Sequence, residues 1–356
     1  MHFFRSSSIV KKIDKQGIST EKRANDIELS LFMRNVRAKD ILTIHAFFPY
    51  FTRFKRKIAI CRPSRGVIEH EVGYAIASVF TLPQYRGKGY GKHMMRLLHW
   101  VLANEDYLKT QTFPEDQWGP RPRLEVGDAS VAALWSDVGP TFYQGCGMGE
   151  GVERGDGWLV RDPFSVIWNV HEVDLSGIRE EEEATWLDEE SAKAIWEKDV
   201  VHIEAEVVQA TQSKGGTQTH FSFLPNEGVA EFQWFRLHYH FKRYIPNPPQ
   251  CCGLQIGDGA FATWTCDFRR ESSKSMILTR LRANEEDIER LIAQVLRYAR
   301  DHSLGMVELW NLAPDLVDAC RKFGGSVVER DEHFPAIKWY GNESVEWLYN
   351  ERFCWC

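Results

Sequence analysis

A glycine-rich segment between a buried strand and an amphipathic helix is the feature that most limits how this chain can fold. Tyr74–Phe80 is a short apolar run bounded by a glycine and a proline, which predicts a buried β-strand. Arg86–Gly91 follows, with glycine at every second position. From Met94 to Leu102 apolar residues recur at i, i+3, i+4, i+7 and i+8, which predicts one apolar face of a helix. The sequence therefore predicts a strand, a glycine loop and a helix in succession.

The glycine loop has the composition of an anion-binding turn. A helix N-terminus exposes unpaired backbone N–H groups and the positive end of the helix dipole. Gly87, Gly89 and Gly91 let the backbone wrap an anion, and Arg86 and Lys88 add positive charge. No Gly-Lys-Ser/Thr closes the loop, and its spacing is not that of a dinucleotide-binding fold. We predict a pyrophosphate-binding cradle, with a flexible turn as the alternative.

The same order of elements recurs in the second half of the chain. Strands are predicted at Phe261–Phe268, Met276–Leu281 and Met306–Trp310, with an amphipathic helix from Ile288 to Leu296. The tripeptide Arg282–Asn284 stands where the first half has its glycine loop. We therefore predict an α+β fold of mixed sheets with flanking helices, in two copies of one architecture.

Composition divides the chain into four parts. Residues 1–40 are basic, and they are either a solvated leader or an organelle presequence, since the first dozen contain serine and arginine but no acid. Residues 41–165 form the predicted domain with the glycine loop. Residues 166–195 are rich in acid and are predicted to be an inter-domain linker. Residues 196–356 form the predicted second domain.

Composition and charge argue against several classes of protein. The formal net charge of -6 argues against a dedicated nucleic-acid-binding protein, and no apolar run is long enough to cross a bilayer. We expect a cytoplasmic protein, or a mitochondrial one if the leader is a presequence. The eight cysteines lack the spacing of a zinc site, and we predict no metal. His238 and His240 are predicted to lie in a strand rather than to bind a metal.

The strand, glycine loop and helix resemble the acetyl-CoA site of the GNAT superfamily of N-acetyltransferases. The resemblance implies a first domain with the GNAT fold and a second, GNAT-like domain without the pyrophosphate loop. It implies acetyl-CoA as co-substrate and Tyr143 as the acid that protonates the departing thiolate. The strand end is implied to pair with the pantetheine arm and the loop to hold the pyrophosphate, which gives as cofactor contacts Ser78, Val79, Phe80, Arg86, Gly87, Lys88, Gly89, Tyr90 and Gly91.

A closer resemblance extends over three segments, Tyr74–Phe80, Trp135–Tyr143 and Glu329–Tyr340. They resemble the fungal lysine N6-acetyltransferases of lysine catabolism, which carry an added C-terminal domain. This resemblance implies acetyl transfer to the N6 amine of free lysine, a small-molecule substrate, by direct attack in a ternary complex. A protein-lysine or polyamine acetyltransferase and a non-catalytic CoA-binding regulatory protein remain as alternatives, and the oligomeric state stays open.

Acetyl transfer to lysine requires a base, because the side-chain amine has a pKa near 10.4 and is protonated at neutral pH. Many GNAT enzymes carry a glutamate on the strand before the glycine loop, where this chain has Ala75. The remaining candidates are Glu69 and Glu71 before that strand, Asp137 after the strand that ends near Trp135, and acids of the second domain. A solvated surface charge is the alternative explanation for each of them.

A free amino acid also presents a carboxylate and an ammonium group. Arginine suits the first and an acid suits the second. Arg330, Asp331, Glu332 and His333 supply both kinds in one run, which is predicted to be strand-like, with Arg330 and Glu332 on one face. These four residues are the predicted substrate contacts, with a polar strand end as the alternative.

Overall fold

A computed structural model describes residues 50–121, 127–149, 156–178, 183–213, 217–241, 250–268 and 274–356. It contains two seven-stranded mixed sheets with helices packed on them, so the predicted α+β class is confirmed. The leader predicted for residues 1–40 lies outside the described residues. Among the described residues, no helix is both long enough and apolar enough to cross a membrane.

The first part of the chain forms these elements in order: β1 (Tyr50–Cys61), β2 (Ile68–Phe80), α1 (Tyr90–Leu102), α2 (Glu105–Lys109), α3 (Glu115–Trp118), β3 (Ala129–Ser136), α4 (Thr141–Gln144), β4 (Leu159–Val160) and β5 (Phe164–Asn169). The second part continues with β6 (Ala184–Leu187), α5 (Glu189–Ser213), β7 (Thr219–Phe223), α6 (Glu231–Phe241), β8 (Gly253–Ile256), β9 (Ala260–Asp267), β10 (Ser275–Arg282), α7 (Ile288–Asp301), β11 (Met306–Trp310), α8 (Pro314–Lys322), β12 (Ser326–Glu329), β13 (Phe334–Trp339) and β14 (Val345–Trp347).

The first sheet has the strand order β14-β7-β1-β2-β3-β13-β4. Strand β2 is antiparallel to β1 and parallel to β3. Side chains alternate between the two faces of a strand, so Tyr74 and Ile76 lie on the face that α1 covers with Met95 and Leu98. Ala75 lies on the opposite face, within the core that the two sheets share.

The second sheet has the order β12-β5-β11-β10-β9-β8-β6 and repeats this arrangement. Strand β10 is antiparallel to β9 and parallel to β11. The helix α7 packs on this second sheet with an apolar stripe that includes Leu291, Ile292 and Val295. The predicted strands and helices around the parallel pairs β2–β3 and β10–β11 are therefore confirmed, with ends shifted by a few residues.

The two sheets exchange strands. Strand β5 follows the first part of the chain in sequence but lies in the second sheet, between β11 and β12. Three strands from the second part of the chain lie in the first sheet: β13 between β3 and β4, β7 beside β1, and β14 beside β7. The predicted ranges 41–165 and 196–356 therefore do not correspond one to one to the sheets, because hydrophobic periodicity identifies a strand without identifying its neighbours.

Two local predictions are wrong. The acidic segment 166–195 is not a linker in its described part, since it contains β5, β6 and the first turns of α5. Its described acids are all exposed, with Glu189 and Glu190 in the first turn of α5 and the others in the connections between elements, and composition does not distinguish such a segment from a linker. His238 and His240 lie in helix α6 rather than in a strand.

Candidate active site

A gap opens between β2 and β3, two parallel neighbours in the first sheet. The pairing of β2 with β3 runs from Val72 opposite Ala129 to Ile76 opposite Leu134, and goes no further along either strand. On its other side β2 pairs with β1 through a register shift, so that β2 contains one extra residue near Ser78. Ser78 has φ +54°, the left-handed conformation often found at such bulges. The end of β2 thus faces a gap rather than a neighbouring strand.

The glycine loop lies directly after this strand end. Gly87 and Gly89 have φ of +76° and +81°, and a Cβ at either position would meet no atom within 4 Å. Glycine is therefore required here by backbone conformation and not by lack of space. Gly89 is the N-cap of α1, and the amide of His93 donates to the Gly89 carbonyl. The N–H groups before His93 precede the hydrogen-bonded ladder of the helix and point out of its end.

Cationic side chains surround the loop. The Nε of Arg86 donates to the Thr81 carbonyl at 2.9 Å, and its guanidinium lies 5.4 Å from the Phe80 ring centroid. Lys88 Nζ lies 5.6 Å from the Tyr85 ring centroid. Residues 82–90 are all exposed. The loop is thus open to solvent, and the positive end of the helix dipole is reinforced by two positive side chains.

Tyr143 lies on α4, the short helix that follows β3. Its ring is 9% exposed and packs edge-on against Phe142 and Trp158. Burial raises the pKa of Tyr143 to about 12, and the neighbouring Cys146 and the negative charge of Asp137 act in the same direction. The phenol therefore keeps its proton at neutral pH and is available as a donor.

Asp137 and His333 meet at the end of β3. Asp137 follows the last residue of that strand, and His333 precedes the first residue of β13, where Phe334 pairs with Ser136. His333 Nδ1 lies 2.7 Å from Asp137 Oδ1 in a bent contact, and the His333 backbone N–H donates to the same oxygen at 3.1 Å. Burial pushes the pKa of Asp137 upward, but the hydrogen bonds and charge of His333, with the charge of Arg352, lower it overall.

The strand register brings these groups to the gap. Continuing the parallel pairing of Ile76 with Leu134 places Ser78 level with Ser136, and Ser136 pairs with Phe334. In a regular sheet a row of three strands spans two strand spacings, about 10 Å. Asp137 and His333 therefore lie at the edge of the gap beside β2.

Arg330 is mainly a structural residue. Its Nη1 donates to the Phe164 carbonyl at 2.6 Å and to Ser165 Oγ at 3.2 Å, which holds the exchanged strand β5. The guanidinium stacks 4.3 Å from the Trp310 ring centroid, and burial lowers the pKa of Arg330 to about 10. The run 330–333 is a bend and not a strand, so the predicted alternation of faces is wrong. Asp331 and Glu332 are exposed.

Glu71 does not lie near this site. About 23 Å of extended strand separates it from Ser78, at roughly 3.3 Å per residue. Arg62 Nη1 donates to Glu71 Oε1 at 2.5 Å, and the hydroxyl of Ser130 donates to Oε2. Burial raises the pKa of Glu71, but Arg62 and Ser130 lower it overall, so the carboxylate stays ionised. Its prediction as a catalytic base is corrected by this geometry, because it is held in an ion pair in a separate groove that Arg62 and Tyr107 also line.

Comparison with protein families matches residues 169–356 to the LYC1 GNAT-like C-terminal domain. The chain belongs to this family. The match covers β6 to β14 and the helices between them, which include the parallel strands β10 and β11. A search of curated proteins finds no match.

Three solved structures are similar to this chain over 81% of its length. Eis1 from Mycobacterium abscessus is 13% identical, with 61% of its chain covered and a TM-score of 0.41. A GCN5-related N-acetyltransferase from Kribbella flavida is 12% identical, with 57% covered and a TM-score of 0.42. One from Anabaena variabilis is 11% identical, with 59% covered and a TM-score of 0.43. The chain thus spans about three fifths of the length of these proteins.

The LYC1 GNAT-like C-terminal domain has a corresponding gap, which the chain itself fills. Pairing of β10 with β11 ends at Leu278 opposite Leu309, and a register shift follows on β10. Here Glu351 Oε2 accepts the backbone N–H of Leu281 at 2.9 Å, and the side chain of Asn311 donates to the Asn350 carbonyl. A cavity of about 640 Å³ remains beside this segment.

The LYC1 GNAT-like C-terminal domain also lacks a glycine loop after this gap. Asn284 Oδ1 accepts the backbone N–H of Asp287 at 2.8 Å, so a side chain satisfies a donor that the glycine loop leaves open. Among the described residues of the whole chain, no group of three or more histidine, cysteine or acidic side chains is placed to hold a metal ion.

Two residues near the site were not predicted from the sequence. Lys92 lies in the first turn of α1, and its Nζ is 3.8 Å from the position that a Cβ on Gly145 would take. Arg352 stacks on Trp310 and Trp355 at 4.3 and 3.9 Å. Lys92 was detectable as a cation next to the glycine loop. Arg352 was not, because its position depends on the return of the final segment to the first sheet.

Proposed function

We propose that the protein is an N-acetyltransferase that moves the acetyl group of acetyl-CoA to the N6 amine of free lysine by direct attack in a ternary complex. One observation carries the proposal: the gap between β2 and β3 opens beside an exposed glycine loop at the N-terminus of α1. This combination suits a ligand with a diphosphate at one end and an extended amide chain at the other.

Coenzyme A has that form. Its diphosphate would lie against the N–H groups of the loop, with Arg86 and Lys88 beside it. Its pantetheine arm contains two amides, which would pair with the backbone of Ala77–Phe80 as a neighbouring strand does. The thioester would then lie at the edge of the gap, where Tyr143 and Asp137 are close enough for the charge of one to affect the other.

The chemistry requires one group that accepts a proton and one that donates it. The lysine amine is protonated at neutral pH and must lose a proton before it attacks. The sulfur of CoA gains negative charge as the tetrahedral intermediate collapses. Tyr143, which stays protonated in its buried position, would donate to this sulfur. Asp137, which lies 2.7 Å from His333 Nδ1, would be on the side of the site where the proton of the amine is accepted.

Free lysine is the favoured acceptor on two grounds. The segments Tyr74–Phe80, Trp135–Tyr143 and Glu329–Tyr340 resemble the fungal lysine enzymes, and the first sheet brings the second and third segments together at Ser136 and Phe334. Asp331 and Glu332 are exposed beside them and suit the α-ammonium group of an amino acid.

A release assay for free CoA tests the proposal. The protein is incubated with acetyl-CoA and, separately, with lysine, ornithine, spermidine and lysine-containing peptides. We expect lysine to give kcat/KM at least tenfold above the others. Equal rates with ornithine or with a peptide would contradict free lysine as the acceptor, but would still support acetyl transfer to an amine. Binding of acetyl-CoA without turnover of any amine would instead support the regulatory alternative.

A further inference from the structure

We infer that His333 is the general base of the acetyl transfer and that Asp137 positions it. The inference rests on the proposed function and names a residue that the sequence had suggested only as a substrate contact. It follows from the placement of the Asp137–His333 pair at the edge of the gap, from the strained backbone of His333 and from the groups that enclose its ring.

The backbone of His333 is held in an unfavourable conformation. Its φ is +54°, in the left-handed region that few residues other than glycine adopt. Asp137 Oδ1 accepts the backbone N–H of this residue and also lies 2.7 Å from Nδ1. Left-handed residues that are fixed from outside in this way concentrate at functional sites. The arrangement turns the ring toward the end of β3.

The ring is enclosed but not sealed. Its centroid lies 5.8 Å from that of Trp310 and 5.7 Å from that of Trp355, and the side chain is 15% exposed. With Nδ1 facing Asp137, Nε2 is the ring nitrogen that can accept a proton from a substrate. Apolar walls on two sides limit the water that competes with the substrate for this nitrogen.

Charges of both signs face the ring. Asp137 contributes one from the end of β3, and Glu332 Oε1 lies 3.9 Å from Nε2. Arg330 and Arg352 each stack 4.3 Å from the centroid of Trp310, the ring that packs beside the imidazole, and the charge of Arg352 also acts on Asp137. Two carboxylates and two guanidinium groups therefore lie around His333, and the carboxylates are the groups in direct contact with it.

Histidine suits the role of base better than Asp137 itself. Imidazole is the side chain that changes its protonation near neutral pH, so it can both accept and release a proton during turnover. A carboxylate whose pKa is lowered by hydrogen bonds and nearby cations, as that of Asp137 is, accepts a proton poorly. Asp137 would instead fix the ring orientation and stabilise the imidazolium that forms, as the carboxylate does in catalytic triads.

The proposed step balances as follows. Nε2 of His333 removes one proton from the lysine ammonium, and the freed nitrogen lone pair attacks the acetyl carbonyl carbon. The carbon–nitrogen bond forms, the carbon–sulfur bond breaks, and its electron pair goes to sulfur. Tyr143 gives its proton to sulfur and recovers one from the new amide nitrogen through solvent. The imidazolium releases its proton to water, so that one proton is released per turnover with N-acetyl-lysine and CoA.

The test is the pH profile of the variant His333→Asn, because asparagine tolerates the left-handed backbone. We expect kcat to fall at least 100-fold while KM for acetyl-CoA changes less than twofold. The acidic limb that the base contributes to kcat/KM should also disappear, and the residual rate should instead rise continuously with pH until the amine itself has lost its proton. His70→Asn is the matched control, since His70 also contacts a carboxylate, Glu204 at 2.6 Å, near the far end of β2. It should keep the wild-type profile.

A second variant covers the case in which His333→Asn does not fold. Asp137→Asn should lower kcat about tenfold and move the acidic limb to lower pH, because it removes the charge that stabilises the imidazolium. An unchanged acidic limb of kcat/KM in either folded variant would overturn the inference. The contact between Asp137 and His333 would then have only a structural role. Wild-type protein that transfers acetyl to none of the amines would remove the proposed function itself, which is a different result.

Discussion

Tyr143 provides a residue-scale test of which group donates the proton to sulfur. Tyr143 is 9% exposed, and its pKa of about 12 keeps the phenol protonated at neutral pH. Tyr143→Phe removes the proton and keeps the packing. We expect kcat to fall about 100-fold with unchanged affinity for acetyl-CoA, measured by steady-state kinetics and calorimetry.

Tyr298→Phe is the matched control for that change. Tyr298 lies in α7 of the second sheet and is also 9% exposed. Burial raises its pKa as well. Loss of its hydroxyl should leave kcat unaltered. If both variants keep full activity, Tyr143 is a packing residue and another group protonates the thiolate.

Asp199 belongs to a buried charge cluster between α5 and β10. Its two oxygens contact Arg280 Nε at 2.7 Å and Arg282 Nε at 2.6 Å, and Arg280 also contacts Glu351. Asp199→Ala leaves the fully buried Arg280 with one carboxylate fewer. We expect a loss of about 3–5 kcal/mol in the free energy of unfolding, measured by urea denaturation. Asp318→Ala, at an exposed ion pair with Arg321, should change it little.

The contribution of Asp199 should depend on pH with a definite sign. Burial raises the pKa of Asp199, but the charges of Arg280 and Arg282 lower it overall. A carboxylate whose pKa is lower in the folded state stabilises the fold above its unfolded pKa, about 3.9. The difference between wild type and Asp199→Ala should therefore be constant from pH 5 to 8 and shrink below about pH 4. A difference that grows on acidification would contradict this ion pairing.

At the scale of elements, the effect of the glycine loop on coenzyme binding can be separated from its effect on stability. Gly89 has φ +81° with open space around its missing Cβ, so Gly89→Ala costs backbone strain of roughly 1–2 kcal/mol. The strain also displaces the N–H groups at the start of α1. We expect affinity for acetyl-CoA to fall at least tenfold, measured by calorimetry.

Gly66→Ala gives the comparison for that variant. Gly66 has φ +67°, also with no atom within 4 Å, in the turn between β1 and β2. It should lose similar stability and keep full affinity. Equal affinities of the two variants would show that the conformation of the loop is irrelevant to coenzyme binding.

The elements differ in how far the sequence predicts them. The strand, glycine loop and helix from Tyr74 to Leu102 are set by local periodicity and backbone preference, and the structure confirms them. The exchange of β5 and β13 has no local signal, because the pairing partners lie far apart in the chain. The site shows the same division. The sequence predicts Asp137 and His333 separately as site residues, but their contact across 196 positions depends on the placement of β13 in the first sheet.

At the scale of the whole molecule, the two gaps predict one coenzyme per chain. The gap of the first sheet faces an open loop, whereas Glu351 accepts the Leu281 N–H in the second. A calorimetric titration with acetyl-CoA should therefore give a stoichiometry of one. Gly89→Ala should weaken that single binding event. A second event that persists in the variant would place coenzyme in the cavity beside Glu351.

The exchanged strands also predict that both sheets unfold together. The first sheet contains β7, β13 and β14 from the second part of the chain, and the second sheet contains β5 from the first part. One apolar core joins Ile58 and Phe221 of the first sheet to Trp168 and Leu278 of the second. Unfolding of either sheet therefore exposes the core that it shares with its neighbour. Scanning calorimetry should show a single transition. Acetyl-CoA at 100 times its dissociation constant adds about 2.7 kcal/mol, and the whole transition should move upward. Two transitions, of which acetyl-CoA moves only one, would mean that the sheets are independent despite the exchange.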